Sequence, residues 1–301
     1  MLTTVEPMLA IPGDVPVESL AGTHAFDAKL DGVRMLAFWD GEQLNLRNRR
    51  QAHRSPTYPD LVESFWLPQS VVLDGEVVAP VGAFQDIARR DKAVKGHVAR
   101  RLARQIPATF VAFDVLWHGG RDLRDLPYAA RREVLTGISG VLRNDHWDIT
   151  LASTDPALIQ LIKDGGGEGV IAKRLSSRYT PGRSRNWLKF KNTTTITCIG
   201  TGYEPGSGSR ADFGAMTLAV IDGADIRVVG RVGSGFTSRE VSTLRQIFAN
   251  VKTGVDLPIV EVECLGLTRE GVLRQPVYKG LRTDLTMFDA TASQLEGLTR
   301  S

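Results

Sequence analysis

The chain has 301 residues, of which 42% are hydrophobic and 24% are charged, a composition that excludes wholesale disorder and allows two domains with separate cores. Its formal net charge of +3 is compatible with a phosphate-rich partner but is too small to identify one. Its two cysteines, Cys198 and Cys264, are too few and too distant for a disulfide framework or a cysteine-based metal site.

The amino-terminal stretch gives no sign of export or membrane insertion. It lacks the basic and apolar regions of a signal peptide, and no uninterrupted apolar run in the chain approaches the length that spans a bilayer. We therefore expect a soluble protein of the cytoplasm, a reducing compartment, with no membrane partner.

The first predicted elements are β-strands on either side of a short loop. Residues 24–48 alternate in polarity and contain the turn signal Asp40-Gly41, which predicts a β-hairpin. The predicted boundaries are 26–29 for the end of a strand, 30–32 for a tight loop and 33–39 for the next strand. This arrangement places Lys29 at a strand end, where its side chain can face a cleft.

The region up to residue 191 mixes strands and helices. The further elements that we expect there are two strand pieces at 71–73 and 76–78 around a bend, one or two helices at 84–105, a buried strand at 109–117, a helix from Pro127 to about Leu142, a helix at 154–164, and strands at 169–173 and 187–191. Because these elements do not alternate strictly, the pattern favours an α+β fold over a doubly wound sheet.

The composition changes near residues 191–195, where we place a domain boundary. The segments that follow are short β-like runs at 196–203, 216–221, 226–232 and 259–267, with one helical segment at 238–250. Several short strands with one helix are typical of a small β-barrel such as an OB-fold. We therefore expect a first domain at 1–193 and an OB-fold domain at 194–301.

The segment Lys29-Leu30-Asp31-Gly32-Val33-Arg34 contains a candidate nucleophile. A lysine becomes nucleophilic where burial or neighbouring cations favour the neutral amine. We expect Gly32 to let the backbone bend so that Lys29 reaches a cleft, and Arg34, Lys189 and Lys191 to supply cations there. The alternative is an exposed lysine before an ordinary Asp-Gly turn, and so short a motif does not decide between them.

The order of the later segments favours the nucleophilic interpretation of Lys29. Seven segments in order resemble the motifs of the covalent nucleotidyltransferase superfamily and, within it, of the ATP-dependent DNA ligases. The segments are 29–34, 44–49 followed by Tyr58-Pro59-Asp60-Leu61, Leu73-Asp74-Gly75-Glu76, 110–116, Glu168 to Lys173, Trp187 to Lys191, and Arg282-Thr283-Asp284. The resemblance extends from about Pro7 to Asp284, nearly the whole chain, and implies a nucleotidyltransferase (adenylation) domain followed by the OB-fold domain.

The resemblance implies a role for each matching residue. Lys29 attacks the α-phosphate of ATP and becomes a lysyl-AMP, Glu76 hydrogen-bonds the ribose and Phe113 stacks on adenine. Glu168, with Glu76, holds a divalent cation, Mg²⁺ or Mn²⁺. The other implied cofactor-binding residues are Asp31, Arg34, Arg49, Lys173, Lys189, Lys191, Arg282 and Asp284.

Taken one by one, these residues also have simpler interpretations. Phe113 could belong to the core, and Glu76 could lie in a solvated turn. Glu168 could be an exposed acid near a helix end, and Lys189 and Lys191 could lie on the solvent-exposed face of an edge strand. The ligase interpretation fails only if all of these hold together.

Three positions depart from the family pattern or are ambiguous. Arg47 and Arg49 both lie in the segment of the second arginine, and we assign that role to Arg49. Asp27 stands where the family often has a glutamate. Leu285 replaces a lysine in the last motif, which puts pyrophosphate handling in doubt, although Lys279 or Arg282 could compensate.

The amino-acid sequence of several segments is similar to that of bacterial ATP-dependent DNA ligases of the end-joining type. The resemblance implies nicked duplex DNA as the substrate, a role in DNA repair at the nucleoid, and the Ku protein and a primase-polymerase as partners. Little sequence precedes Lys29, so we expect a minimal, monomeric ligase without a separate amino-terminal DNA-binding domain. The alternatives are an RNA ligase, a capping-type guanylyltransferase, and a non-catalytic nucleic-acid-binding protein.

The densest cationic run lies in the predicted helical region at 84–105. It comprises Arg89, Arg90, Lys92, Lys95, Arg100, Arg101 and Arg104. It could follow DNA phosphates, or it could be the solvated face of a helix, and the sequence favours neither.

Overall fold

The computed structural model describes residues 2–80, 84–93, 96–206 and 212–299, so Lys95 lies outside the described residues. Internal contacts divide the chain into two units, Met1–Asn192 and Thr193–Ser301. Both units combine β-sheets with helices, which confirms the predicted α+β class. Within the described ranges, no helix is both long enough and apolar enough to cross a membrane.

The first unit contains strands and helices in irregular order. Its strands are β1 (Met8–Pro12), β2 (His24–Ala28), β3 (Val33–Trp39), β4 (Leu44–Asn48), β5 (Val71–Val78), β6 (Thr109–His118), β7 (Arg121–Asp122), β8 (Trp147–Ile149), β9 (Ala152–Ser153), β10 (Gly169–Arg174) and β11 (Gly182–Lys191). Its helices are α1 (Pro59–Glu63), α2 (Phe84–Asp91), α3 (Gly96–Gln105), α4 (Tyr128–Leu142) and α5 (Ala157–Asp164). The region 84–105 therefore contains two helices.

These strands form two sheets in the first unit. One has the order β1-β11-β10-β2-β9, and the other has the order β4-β3-β5-β6-β7 with β8 beside β6. The predicted hairpin is confirmed as β3 and β4, which pair antiparallel around Asp40-Gly41. Strands β2 and β3 lie in different sheets, so the loop 29–32 crosses from one sheet to the other.

The central strand β5 differs from the sequence prediction. It is continuous from Val71 to Val78 and not two pieces, and the expected bend is a register shift against β6 between Asp74 and Gly75. Side chains alternate across a strand, so β5 contributes to a core on each face of its sheet. Leu73 packs into the cluster under the helices, whereas Val72 packs into a second cluster.

That second cluster joins the two sheets of the first unit. Phe38, Val72 and Phe113 from one sheet pack with Met8 and Trp187 from the other. Burial of an apolar side chain of this size contributes about 1.5–3 kcal/mol. The two sheets are therefore held together by a shared apolar core.

The described residues of the second unit form a five-stranded antiparallel sheet with one α-helix. Its elements are β12 (Thr194–Glu204), β13 (Ala215–Asp222), β14 (Asp225–Val232), α6 (Ser238–Asn250), β15 (Ile259–Cys264) and β16 (Val277–Leu281). The strand order is β14-β13-β12-β15-β16. Helix α6 has the predicted limits and begins at a capping box formed by Thr237 and Glu240. Strand β16 is an element that the sequence patterns missed.

Candidate active site

A cavity of about 310 Å³ lies between the two sheets of the first unit. Its volume is within the range of small-molecule sites. The residues that line it are Leu9, Ala10, Asp27, Ala28, Lys29, Leu30, Arg34, Arg49, Glu76, Phe113, Ile171, Lys173, Arg183, Trp187 and Lys189. The fold therefore brings together seven of the predicted site residues from six separate sequence segments.

Lys29 sits at the crossing between the sheets. Its backbone N–H donates to Gly169 O at 2.8 Å, and its Nζ lies 2.5 Å from Glu168 Oε2. The Lys29 side chain is 21% exposed, whereas that of Glu168 is 4% exposed. A side chain at Gly32 would overlap Val77 O and lie 2.8 Å from Glu76 Cγ. Gly32 lies at a backbone bend, as expected, and it also allows the loop to approach β5 closely.

Glu76 lies opposite Arg34 in the pairing of β3 with β5. Burial raises the pKa of Glu76 to about 7, and the carboxylates of Asp74 and Glu168 also raise it, whereas Arg34 and Lys29 lower it. Glu168 and Lys29 are therefore close enough to Glu76 to affect its ionisation. Burial is the dominant cause because it penalises an ionised carboxylate in a region of low dielectric constant.

Arg34 is held by a buried network that sequence reasoning missed. Its Nε and Nη2 each donate to the carboxylate of Asp74 at 2.6 Å, and Nη2 also donates to Met8 O at 3.1 Å. The hydroxyl of Tyr179 donates to Asp74 Oδ2 at 2.6 Å and accepts from Met8 N at 3.0 Å. Asp74 lies within a segment noted for its resemblance, but only the fold shows that it meets Tyr179.

Phe113 forms the buried wall of the cavity. The guanidinium carbon of Arg34 lies 4.3 Å from the centre of the Phe113 ring, and the Nζ of Lys173 lies 4.5 Å from the same point. The edge of Trp187 packs against it at 6.0 Å between centroids. Phe113 is 8% exposed, so it belongs both to the core and to the cavity surface.

Lys173 is buried behind Phe113. Its Nζ lies 2.6 Å from Asp27 Oδ2 and donates to Phe113 O at 3.0 Å. Burial lowers the pKa of Lys173, and the carboxylates of Asp27 and Asp114 oppose that shift. Asp27, which replaces the glutamate common in the family, is therefore the counter-ion of Lys173.

Cations converge along β11. Lys189 lies on the cavity wall, and Lys191 is exposed at the end of the strand. Burial lowers the pKa of Lys189, and the charges of Lys191, Lys29 and Arg183 lower it further. Arg183, which sequence reasoning did not select, also lines the cavity and is exposed.

The second arginine segment ends at the cavity. Arg49 lines the wall, whereas Arg47 donates to Gln51 O at 3.2 Å on the neighbouring turn. Asp31 is half-buried in the loop 29–32. The geometry thus favours Arg49 over Arg47.

The two remaining predicted residues belong to the second unit. Arg282 donates through Nε and Nη2 to the carboxylate of Asp284, at 2.9 and 2.7 Å, and pairs with Glu261 at 3.4 Å. Leu285, next to them, packs with the apolar side chains of Ile199 and Ile259. The residue that departs from the family pattern therefore has a structural role.

Carboxylates near Lys29 can contribute to a metal site. Among the described residues, no group of three or more His, Cys, Asp or Glu side chains is arranged to hold an ion alone. Glu168 and Glu76 nevertheless interact across the space beside Lys29. This donor set fits Mg²⁺, which usually takes one or two carboxylates and completes its shell with water and substrate phosphates.

Comparisons with known proteins give a consistent result. The family described as ATP dependent DNA ligase domain matches residues 7–191, and the ATP dependent DNA ligase C terminal region matches residues 209–285. The chain is 32% identical to the multifunctional non-homologous end joining protein LigD of Mycolicibacterium smegmatis, over 93% of this chain but 38% of that protein. It is 34% identical to DNA ligase C1 of the same organism, over 78% of this chain and 70% of that one.

A solved structure agrees with these matches. The crystal structure of the ligase domain from M. tuberculosis LigD has a TM-score of 0.56 and 28% identity, covering 95% of this chain and 97% of that one. The chain thus corresponds to a whole ligase domain while spanning 38% of the length of the M. smegmatis LigD protein.

Proposed function

This chain belongs to the ATP-dependent DNA ligases, and from that premise we propose that Lys29 is the residue that carries AMP during the reaction. The protein is an enzyme with an adenylation domain and an OB-fold domain, and it uses ATP. The observation that carries the proposal is the position of Lys29. Its amine lies on the cavity wall, 2.5 Å from Glu168 Oε2. Its positive charge lowers the pKa of both Lys189 and Glu76.

In the first step, the lone pair of Lys29 Nζ attacks the α-phosphorus of ATP, and the bond to pyrophosphate breaks. The ammonium must first lose a proton, and Glu168 Oε2 is placed to accept it. Lys189, Arg183 and Arg49 line the same cavity and offset the charge that develops on the phosphates. Positioning and charge neutralisation supply most of the catalysis in transfers of this kind.

The nucleoside would lie deeper between the sheets. We assign adenine to the surface formed by Phe113 and Trp187, and a ribose hydroxyl to Glu76. Arg34 and Lys173 are committed to Asp74 and Asp27, so they act by fixing Phe113 and the cavity walls around the base. Lys191 and Asp31 complete the proposed set in the first unit.

Glu168 and Glu76 are the residues that would hold Mg²⁺ or Mn²⁺. A divalent cation bound there would neutralise phosphate charge and orient the triphosphate. Glu76 would ionise more readily beside such a charge, because an adjacent cation favours the carboxylate.

We assign residues 1–193 to the adenylation domain and 194–301 to the OB-fold domain, with Arg282 and Asp284 acting on the pyrophosphate. The second step moves AMP from Lys29 to the 5′-phosphate of nicked duplex DNA. In the third step the adjacent 3′-hydroxyl attacks and expels AMP. A relative named as a non-homologous end joining protein supports a role in DNA repair. We propose Ku and a primase-polymerase as partners of a monomer that acts in the cytoplasm at the nucleoid.

Labelling with α-³²P-ATP and Mg²⁺ tests the central assignment. We expect a labelled protein band in the wild type and none in Lys29→Ala or Lys29→Arg, while Lys163→Ala, on an exposed helix, serves as a matched control that remains labelled. Equal labelling of Lys29→Ala would refute the assignment. Preferential labelling by GTP would favour a capping-type enzyme, and nicks with RNA on either side would separate DNA from RNA ligation.

A further inference from the structure

Five exposed cations lie on α2 and α3 or directly after α2, outside the cavity. They are Arg89, Lys92, Arg100, Arg101 and Arg104, which we call the α2–α3 cationic surface. Within the part of the chain that the structure describes, none of the five has a carboxylate partner. By contrast, Arg124 elsewhere in the same unit is paired with Asp122 at 2.6 Å, and Arg143 is paired with Asp148 at 2.7 Å. This surface therefore concentrates positive charge that the protein does not neutralise itself.

The helices that present these cations are firmly anchored. Arg90 on α2 is fully buried, forms a bidentate ion pair with Asp60 at the start of α1, and donates to Ile106 O just after α3 at 2.7 Å. Its guanidinium also lies 4.9 Å from the centre of the Tyr58 ring. One buried arginine thus ties three helices together, and removal of its partner would leave an unpaired internal charge. Because the helix backbones are already fixed, a rigid partner needs only to order the side chains of this surface.

The surface is also connected to the cavity. Arg49 lies on the cavity wall, and the segment 49–57 leads from it to a short 3-10 helix at Ser55–Thr57 that contacts α3. On this path, Arg54 Nε lies 3.3 Å from Asp91 Oδ1 at the end of α2. Cations therefore continue from the proposed phosphate site outward onto the two helices.

We propose that the α2–α3 cationic surface binds the phosphate backbone of the duplex that extends away from the nick, a proposal that rests on the ligase function above. Arg100 and Arg104 are one helical turn apart, about 6 Å along the axis, and lie on one face. Duplex DNA offers one charge per about 1.7 Å of its axis, so both guanidinium groups can reach phosphates together. Contacts of this kind fix the orientation of the duplex and do not read its sequence.

The variant Arg100→Ala/Arg104→Ala tests the proposal, because alanine preserves the helix. The matched control is Arg124→Ala/Arg143→Ala, which removes two exposed but paired arginines. Binding to a fluorescent nicked duplex is measured without ATP over a series of salt concentrations. We expect the affinity of the Arg100→Ala/Arg104→Ala protein (the α3 variant) to fall about tenfold, and the slope of log affinity against log salt concentration (the salt slope) to decrease by about 2. Both changes should be the same for DNA of unrelated sequences. The control should bind like the wild type.

Two further readouts separate this proposal from the ligase function. Labelling with α-³²P-ATP should be unchanged in the α3 variant, since its arginines lie outside the cavity. Shortening the duplex arms should abolish the difference between variant and wild type, once no phosphate reaches the helices. Unchanged affinity and salt slope in the α3 variant, with normal labelling, would overturn the surface proposal and leave the function standing. Absence of labelling in the wild type would overturn the function but not the binding result.

Discussion

The ammonium of Lys173 lies 2.6 Å from the carboxylate of Asp27, and each side chain is 2% exposed. The hydroxyl of Tyr128 donates to the same carboxylate at 3.3 Å. Lys173 and Asp27 lie on neighbouring strands. Asp27 comes two residues before Lys29, and the Nζ of Lys173 lies over the ring of Phe113. The geometry of the proposed nucleotide site therefore depends on a buried charge being compensated.

Replacing Asp27 with Asn should destabilise the protein by about 3 kcal/mol at pH 7, because it leaves the Lys173 ammonium buried without a counter-ion. Burial already lowers the pKa of Lys173, and the substitution removes the larger of the two carboxylate contributions that oppose this shift. The neutral amine then dominates at lower pH than in the wild type. The destabilisation should therefore decrease as the pH rises from 7 to 9.

Urea denaturation at pH 7 and pH 9 measures this difference. Asp148→Asn, which removes the partner of exposed Arg143, is the control and should cost less than about 1 kcal/mol. A loss in Asp27→Asn that matched the control, or that grew with pH, would contradict the expected role of the pair.

Glu76→Gln should stabilise the protein at pH 8 and have little effect at pH 5. Folding raises the pKa of Glu76 from 4.5 to about 7, so the folded state binds this proton more tightly than the unfolded state. Stability therefore decreases as the pH rises from 4.5 through 7, by at most about 3 kcal/mol. Glutamine removes this cost because it cannot ionise.

Thermal unfolding in EDTA, without nucleotide, measures the stability of this variant. Glu42→Gln, in the exposed turn between β3 and β4, is the matched control and should retain the pH dependence of the wild-type stability. The same Glu76→Gln protein should lose lysyl-AMP formation, in a trade of activity against stability that is common at active sites. A variant that is less stable than wild type at pH 8 would refute the burial argument.

Sequence patterns predicted much of the fold because strands and helices are encoded locally. Alternation located β3, and the capping pair Thr237 and Glu240 fits the predicted start of α6. The prediction failed at Asp74-Gly75, which resembles a turn. There Arg34 and Tyr179 neutralise and hydrogen-bond Asp74, so an aspartate that would normally favour a turn remains inside β5.

The partners of the site residues were beyond sequence reasoning for a different reason. The order of the motifs selected Lys29, Glu76, Phe113 and Lys189, which all line one cavity. Lys173 and Asp27 are 146 residues apart in sequence, and only the pairing of β10 with β2 brings them together. Motifs identify which residues are present, whereas the register between strands decides which of them are paired.

Tyr179→Phe should slow lysyl-AMP formation about tenfold, which corresponds to an increase of about 1.4 kcal/mol in the activation free energy. The phenol both donates to Asp74 and accepts from Met8 N, so its loss leaves a buried carboxylate with one donor fewer and loosens Arg34 against Phe113. The change should cost about 1–2 kcal/mol of stability. Single-turnover labelling over a range of ATP concentrations separates slower chemistry from weaker ATP binding.

Tyr203→Phe, which removes the hydroxyl of a tyrosine at the surface of the second unit, is the control for this experiment. We expect it to leave both labelling and stability unchanged. If Tyr179→Phe lost stability but kept the wild-type labelling rate, the hydroxyl would support the fold without positioning Arg34.

The two cysteines should be unreactive in the native protein. Burial raises the pKa of the Cys198 thiol to about 12, with a smaller contribution from Cys264, and burial also raises the pKa of Cys264. The thiolate is the reactive form, so its fraction at pH 8 is far below that of an ordinary thiol with a pKa of about 8.5. Iodoacetamide at pH 8 should therefore leave both residues unmodified, and even at pH 9 their modification should remain far slower than that of glutathione. Both should react once guanidinium unfolds the protein, as mass spectrometry would show. Rapid modification of Cys198 at pH 8 under native conditions would mean that the sheet of β12 to β16 opens far more often than its buried core implies.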